Sequence, residues 1–210
     1  RDEVELFYWF FPSTSSPQTD PLILWLNGGP GCSSIIGALE ENGLFTIDPV
    51  TKVPKPAKST WISNSSMLYI DQPFGVGFSG GDVKKYPKNT KDSTVDLYQA
   101  LLTFFKIYPE YKSNPFYIMG ESYAGKYVPY IANYIVHNDK GYLKDNFQGI
   151  GIGNPMINPF IQYKVYPEYG YSVGWGDIRR KSFLTDVWSK CANTITKERA
   201  EHPETYDDIE

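Results

Sequence analysis

The chain has 210 residues, 41% of them hydrophobic and 16% aromatic, and a formal net charge of −4. That length buries roughly 70% of the unfolded surface, enough for one large domain or a domain with an appendage. The acidic balance and the lack of any basic run exclude nucleic acid as a partner, and no apolar stretch reaches the length of a membrane-spanning helix.

Val4 to Phe11 and Leu22 to Leu26 are short apolar runs bounded by Pro12, Pro17 and Pro21, which predicts two strands joined by a polar turn. A glycine-rich loop follows, Asn27-Gly28-Gly29-Pro30-Gly31-Cys32-Ser33-Ser34. Met67 to Ile70 reads as a third strand, ending at Asp71-Gln72-Pro73. A helix is expected to open at Ser93, with Asp96 completing a capping box and Tyr98, Leu101, Leu102, Phe105 and Tyr108 on one face. Phe116 to Met119 and Phe147 to Ile152 are the next strands. Between them Tyr123, Ala124, Tyr127, Val128, Ile131, Tyr134 and Ile135 recur at helical spacing, and Pro129 is expected to kink that helix or remove a bond from it. Strands alternating with helices predict an α/β fold with a mostly parallel sheet flanked by helices. From Val173 onward polar residues dominate and periodicity fades. Residues 1–172 therefore read as core, and 173–210 as the start of a lid or insertion.

The strongest chemical signal is Gly120-Glu121-Ser122-Tyr123-Ala124, where a strand feeds a helix through a tight turn. Such a turn lifts a hydroxyl clear of the backbone for nucleophilic attack, and its strain demands small neighbours, here Gly120 and Ala124. The strict pattern Gly-x-Ser-x-Gly occurs around Ser79 and Ser172, but neither has a strand before it and a helix after it. Polar residues Asp82, Lys84 and Lys85 follow the first, and Tyr-Pro-Glu-Tyr-Gly precedes the second. Ser122 is thus the candidate nucleophile for acyl transfer. A tetrahedral oxyanion needs two backbone N–H donors about 3 Å away. In α/β-hydrolases one donor follows the nucleophile, here Tyr123, and the other comes from an earlier glycine-rich loop, here that of Gly28 and Gly29.

Cys32 and Cys191 leave three states open: paired with each other, paired with cysteines outside this chain, or reduced. Asn64-Ser65-Ser66 is a glycosylation sequon, meaningful in a secretory protein. The chain begins at Arg1 with no methionine and no signal-like apolar segment, so a processed product or a fragment is expected.

Four segments, Trp25-Leu-Asn-Gly-Gly-Pro-Gly-Cys-Ser-Ser34, Asp71-Gln-Pro-Phe-Gly-Val-Gly-Phe-Ser79, Gly120-Glu-Ser-Tyr-Ala-Gly-Lys-Tyr-Val-Pro129 and Gly151-Ile-Gly-Asn154, closely resemble the serine carboxypeptidase family in order and spacing. The resemblance implies an α/β-hydrolase fold, here incomplete, with the C-terminal part of the sheet and the lid missing. It implies Ser122 as nucleophile, with the N–H groups of Gly29 and Tyr123 as oxyanion hole. Asn27, Gly28, Glu41 and Glu121, with Trp25 in the same network, would hold the terminal carboxylate of a peptide or protein substrate. Two carboxyls sharing a site raise one another's pKa, so such a pair stays protonated at mildly acidic pH. The resemblance also implies a secretory-pathway protein, lysosomal, vacuolar or extracellular, with Cys32 and Cys191 paired to cysteines elsewhere, and no cofactor or metal.

The family's catalytic Asp and His follow the serine, and this chain departs from that pattern. His137 closes the helix after Ser122 and reads as a charge partner for its C-terminus, and His202 lies in the weakly patterned tail. Neither has the surroundings of a catalytic histidine, and Pro155 follows Asn154 where the family usually has glycine. The chain alone is therefore expected to be close to inactive, with the missing pair truncated, lost or carried by a second chain. A carboxypeptidase-like acyltransferase and a non-catalytic binding module are the competing readings.

Overall fold

The structure is a computed structural model and describes residues 4–201. It falls into two compact units that part between Ile157 and Asn158. The change of composition near residue 173 comes later than this packing boundary.

Among the described residues the first unit holds seven strands: β1 (Tyr8–Phe11), β2 (Leu22–Leu26), β3 (Phe45–Ile47), β4 (Pro54–Pro56), β5 (Ser66–Ile70), β6 (Phe116–Glu121) and β7 (Phe147–Gly153). β3 and β4 make a small hairpin of their own, and the other five form one sheet in the order β1-β5-β2-β6-β7. All its pairings are parallel except that of β1, which runs antiparallel beside β5. The first two strands, although consecutive in the chain, are not neighbours: β5 lies between them.

The sheet is central because its inner strands are apolar on both faces, as parallel strands covered on both sides must be. In β2, Leu22, Leu24 and Leu26 pack on one side with Leu97, Leu101 and Phe104 of α1 (Thr90–Ile107) and Val128, Ile131 and Ile135 of α2 (Ala124–Asn138). Ile23 and Trp25 point the other way and meet Ile35, Ala38 and Ile62. Residue-by-residue alternation along one strand thus builds two cores.

α1 starts earlier than its capping-box pattern predicts. Asn89 is the N-cap, its Oδ1 accepting from the Asp92 N–H at 2.8 Å, whereas the Ser93 hydroxyl donates to the Thr90 carbonyl at 2.9 Å. Asn is as good a cap as Ser, and a cap one turn further out satisfies the same orphan donors. α2 runs unbroken through Pro129, so the proline's effect is the hydrogen bond its missing N–H cannot make to the Gly125 carbonyl.

The second unit contains α3 (Pro159–Gln162), α4 (Tyr166–Ser172) and α5 (Ile178–Glu201). The fading periodicity after Val173 therefore conceals a helix of 24 residues. None of its side chains is buried, so no apolar stripe marks it. Its cap does: Asp177 accepts from the Arg180 N–H at 3.0 Å, the geometry of an N-terminal aspartate. Among the described residues no helix is long and apolar enough to cross a membrane.

Candidate active site

The turn between β6 and α2 is built as its residues require. Ser122 sits at φ +57°, a left-handed conformation that an L-residue with a side chain adopts only at a cost of about 1–3 kcal/mol. Backbone hydrogen bonds hold it there. The Ser122 N–H donates to the Gly153 carbonyl of β7 at 3.0 Å, and the Ser122 carbonyl accepts from Met156 at 2.8 Å and from Gly125 at 3.0 Å. Gly120 has no room for a side chain, since an added Cβ would lie 2.7 Å from Ala124 Cβ. The Ser122 side chain is left exposed to solvent.

The glycine-rich loop stands against this turn. Gly28 packs bare backbone on it: a Cβ there would lie 2.8 Å from the Glu121 carbonyl and 2.9 Å from Ser122 Cβ. Gly29 follows at φ +108°, a value suited to glycine. Among the described residues, neither the Gly29 N–H nor the Tyr123 N–H donates to a protein acceptor. Beside Tyr123, Pro30, Phe74, Tyr86 and Tyr127 line a cavity of about 290 Å³.

Asn27, at the C-terminal end of β2, organises the third part. Its Oδ1 accepts from the Trp25 indole N–H at 3.0 Å and from the Gly37 N–H at 3.2 Å. Its Nδ2 donates to Glu41 Oε1 at 2.9 Å and to Glu121 Oε1 at 3.2 Å. An amide has two acceptor sites and two donor hydrogens, so this side chain is saturated, and turning it over would set donors against donors. Asn27 is buried, while Glu121, the last residue of β6, is half-buried. Glu41 ends a π-helical turn (Gly37–Glu41) and is exposed as a whole residue, yet its carboxyl end is partly desolvated at Asn27. Desolvation raises the pKa of Glu41. The Asn27 hydrogen bond opposes this, and the charge of Glu121, a hydrogen bond with it and the charge of Glu40 push it further up.

Trp25, Asn27, Glu41 and Glu121 thus share one network, while Gly28, Gly29, Ser122 and Tyr123 form the adjoining turn and loop. Gly37 is a member that sequence reading missed. Its backbone donates to Asn27, and a Cβ on it would stand 2.5 Å from the Trp25 indole nitrogen. A glycine inside the helical run Ile35-Ile36-Gly37-Ala38 is the signal that marks it.

The other candidates lie apart from this network. His137 is exposed in the last turn of α2, its Nδ1–H donating to the Asn133 carbonyl at 3.0 Å, and His202 lies outside the described residues. Asn154, at φ +41°, is in a left-handed conformation that Asn tolerates, so the turn forms with Pro155 behind it. Cys32 and Cys191 are both exposed and are not bonded to each other. Asn64 is exposed after a 3₁₀ turn, and the third residue of its sequon, Ser66, is buried at the head of β5. Ser79 is buried, accepting from the Phe7 N–H at 2.7 Å and donating to the Asp71 carbonyl at 2.6 Å, and Ser172 lies in α4.

The sequence model of the serine carboxypeptidase family matches residues 1–210. Serine carboxypeptidase S10 family member 1 of Dictyostelium discoideum is 41% identical over 192 residues, covering 90% of this chain and 46% of that protein. The venom serine carboxypeptidase of Apis mellifera is 38% identical over 196 residues, covering 92% of this chain and 42% of the relative. The crystal structure of Kex1(delta)p, a prohormone-processing carboxypeptidase from Saccharomyces cerevisiae, superposes with a TM-score of 0.82 at 34% identity, covering 96% of this chain and 45% of that one. The chain therefore spans less than half the length of these relatives.

Proposed function

This chain belongs to the serine carboxypeptidase family, and we propose that it carries the nucleophile, the oxyanion hole and the terminal-carboxylate site of a serine-type exopeptidase. The observation that carries the reading is the Asn27 side chain, saturated between Trp25, Gly37 and the two carboxyls of Glu41 and Glu121, next to an exposed Ser122 in a strained turn. A substrate's C-terminal carboxylate is anionic, so one protonated carboxyl of the pair, held in place by the Asn27 amide, and the Gly28 backbone N–H supply the donors it needs.

Ser122 Oγ adds to the carbonyl carbon of the last peptide bond, and the oxyanion draws on the N–H groups of Gly29 and Tyr123. The C–N bond breaks, the terminal amino acid departs carrying the proton taken from Ser122, and water then hydrolyses the acyl ester. A general base must move that proton. Of the chain's two histidines, His137 is the one described, and it lies at the far end of α2, about 20 Å along the helix from Ser122. We therefore place the base and its orienting acid outside this chain's described residues, in the part of the family's length that this chain does not span. A second chain is one way to supply them, and this polypeptide alone is expected to be nearly inactive.

Exposure of Asn64 suits a glycosylated protein of the secretory pathway. The raised pKa of Glu41 suits an acidic compartment, lysosomal or vacuolar, or an acidic extracellular setting.

Fluorophosphonate labelling of the complete native protein tests the reading: Ser122 is expected to take the label, and Ser122→Ala to lower kcat on an N-blocked dipeptide by on the order of 10⁴-fold or more. Faster acyl transfer from an ester donor to an alcohol than dipeptide hydrolysis would replace it with an acyltransferase, and an unlabelled Ser122 with a binding module.

A further inference from the structure

The Asp71 carboxylate is completely buried, and none of the chemistry above uses it. It follows β5 directly and receives three hydrogen bonds. Oδ1 accepts from Ser33 Oγ at 2.6 Å and from the Ser34 N–H at 3.0 Å, and Oδ2 accepts from the Phe78 N–H at 2.9 Å. Gly77, at φ +55°, lays its bare Cα against the group, where a Cβ would lie 2.5 Å from the carboxyl carbon. None of these partners is a cation, so the three donors compensate the burial.

What the carboxylate grips is the loop that faces Ser122. Ser34, fixed through its N–H, accepts from the Asn27 N–H through its own Oγ at 3.2 Å, and the Cys32 N–H returns to the Gly28 carbonyl at 3.2 Å. Ser33 Oγ donates to Asp71 and accepts from the Ile35 N–H at 3.2 Å, at the start of the helical turn leading to Glu41. The Asp71 backbone anchors this grip to the sheet: its N–H donates to the Phe7 carbonyl at 3.0 Å, and its carbonyl accepts from Ser79 Oγ.

We infer that Asp71 is a positioning residue for the chemistry of Ser122: by holding Ser33 and Ser34 it sets where the Gly29 N–H stands relative to the Ser122 hydroxyl. The inference rests on the acyl-enzyme reading above. The Asn27 side chain has its own supports in Trp25 and Gly37, so loosening the loop acts more on the oxyanion donors than on the terminal-carboxylate site.

The test uses the complete native protein, an N-blocked dipeptide as substrate and an N-blocked peptide aldehyde, whose tetrahedral adduct with Ser122 puts an oxygen in the hole. In Asp71→Asn an amide N–H must face either the Ser33 and Ser34 donors or the Phe78 N–H. This variant is expected to lose about 30-fold in kcat and a similar factor in aldehyde affinity, with KM within about twofold. Should Asp71→Asn not fold, Ser33→Ala removes one of the three donors and is expected to show the same split at about threefold. Equal effects on kcat and KM, an effect on KM alone, or no effect in a folded variant would overturn the positioning role. A native protein that hydrolyses no dipeptide and ignores the aldehyde would overturn the acyl-enzyme reading, and this inference with it.

Discussion

Gly28 and Ser122 approach closer than two residues with side chains can: a methyl group on Gly28 would stand 2.9 Å from Ser122 Cβ and 2.8 Å from the Glu121 carbonyl. Backbone rather than a flexible side chain is what it would strike, so relief requires the loop to move. Gly28→Ala is expected to destabilise the protein by about 1–3 kcal/mol, as overpacking does, and to slow fluorophosphonate labelling of Ser122 by a larger factor than the stability loss explains. Urea denaturation and labelling rates on the same sample check it, and unchanged labelling would show that the loop does not set the reactivity of Ser122.

Glu41 and Glu121 meet at one amide nitrogen, and the pKa of Glu41 is raised by desolvation first and by its carboxyl neighbours next. A raised pKa means that the folded protein holds this proton more tightly than the unfolded chain. The stability contribution is therefore full below the ordinary value of 4.5 and is lost as pH climbs through the raised one. Binding of a peptide C-terminus should weaken over the same interval, because an ionised Glu41 repels a carboxylate. Calorimetric titration of a product amino acid against pH is expected to show this fall, and Glu41→Gln to flatten it. A wild-type affinity constant from pH 4 to 7 would contradict the assignment.

The start of α1 is decided by comparing two alanine variants. Asn89→Ala removes the observed cap and is expected to cost about 1 kcal/mol, while Ser93→Ala loses one bond to the Thr90 carbonyl and should cost less. Denaturant midpoints rank the two, and the reverse order would move the cap to Ser93.

Phe104 holds one face of the sheet to α1. It is 2% exposed, with ring centroids 5.0 Å from Phe10, 5.9 Å from Tyr8, 5.4 Å from Phe105 and 4.9 Å from Tyr108. Phe104→Ala is expected to destabilise the first unit by about 3–5 kcal/mol, through lost transfer energy and a cavity the rigid sheet cannot close. Thermal unfolding checks it, and a cost below about 1 kcal/mol would mean that the aromatic cluster relaxes freely.

The residues by themselves determined the five strands of the main sheet, the helix after Ser122 and the turn between them, because each has a period or a local pattern set by burial on one or two faces; the small β3–β4 hairpin went unread. They also marked Ser122 over Ser79 and Ser172, since only one serine has a strand before it and a helix after it. The long α5 escaped for the same physical reason, having no buried face to impose a stripe. Tertiary structure alone decided that β5 inserts between β1 and β2, that Gly37 completes the partners of Asn27, and that Asp71 reaches Ser33 and Ser34. The first depends on which distant strands pair, and the other two on single hydrogen bonds, and neither leaves a periodic trace in the order of amino acids.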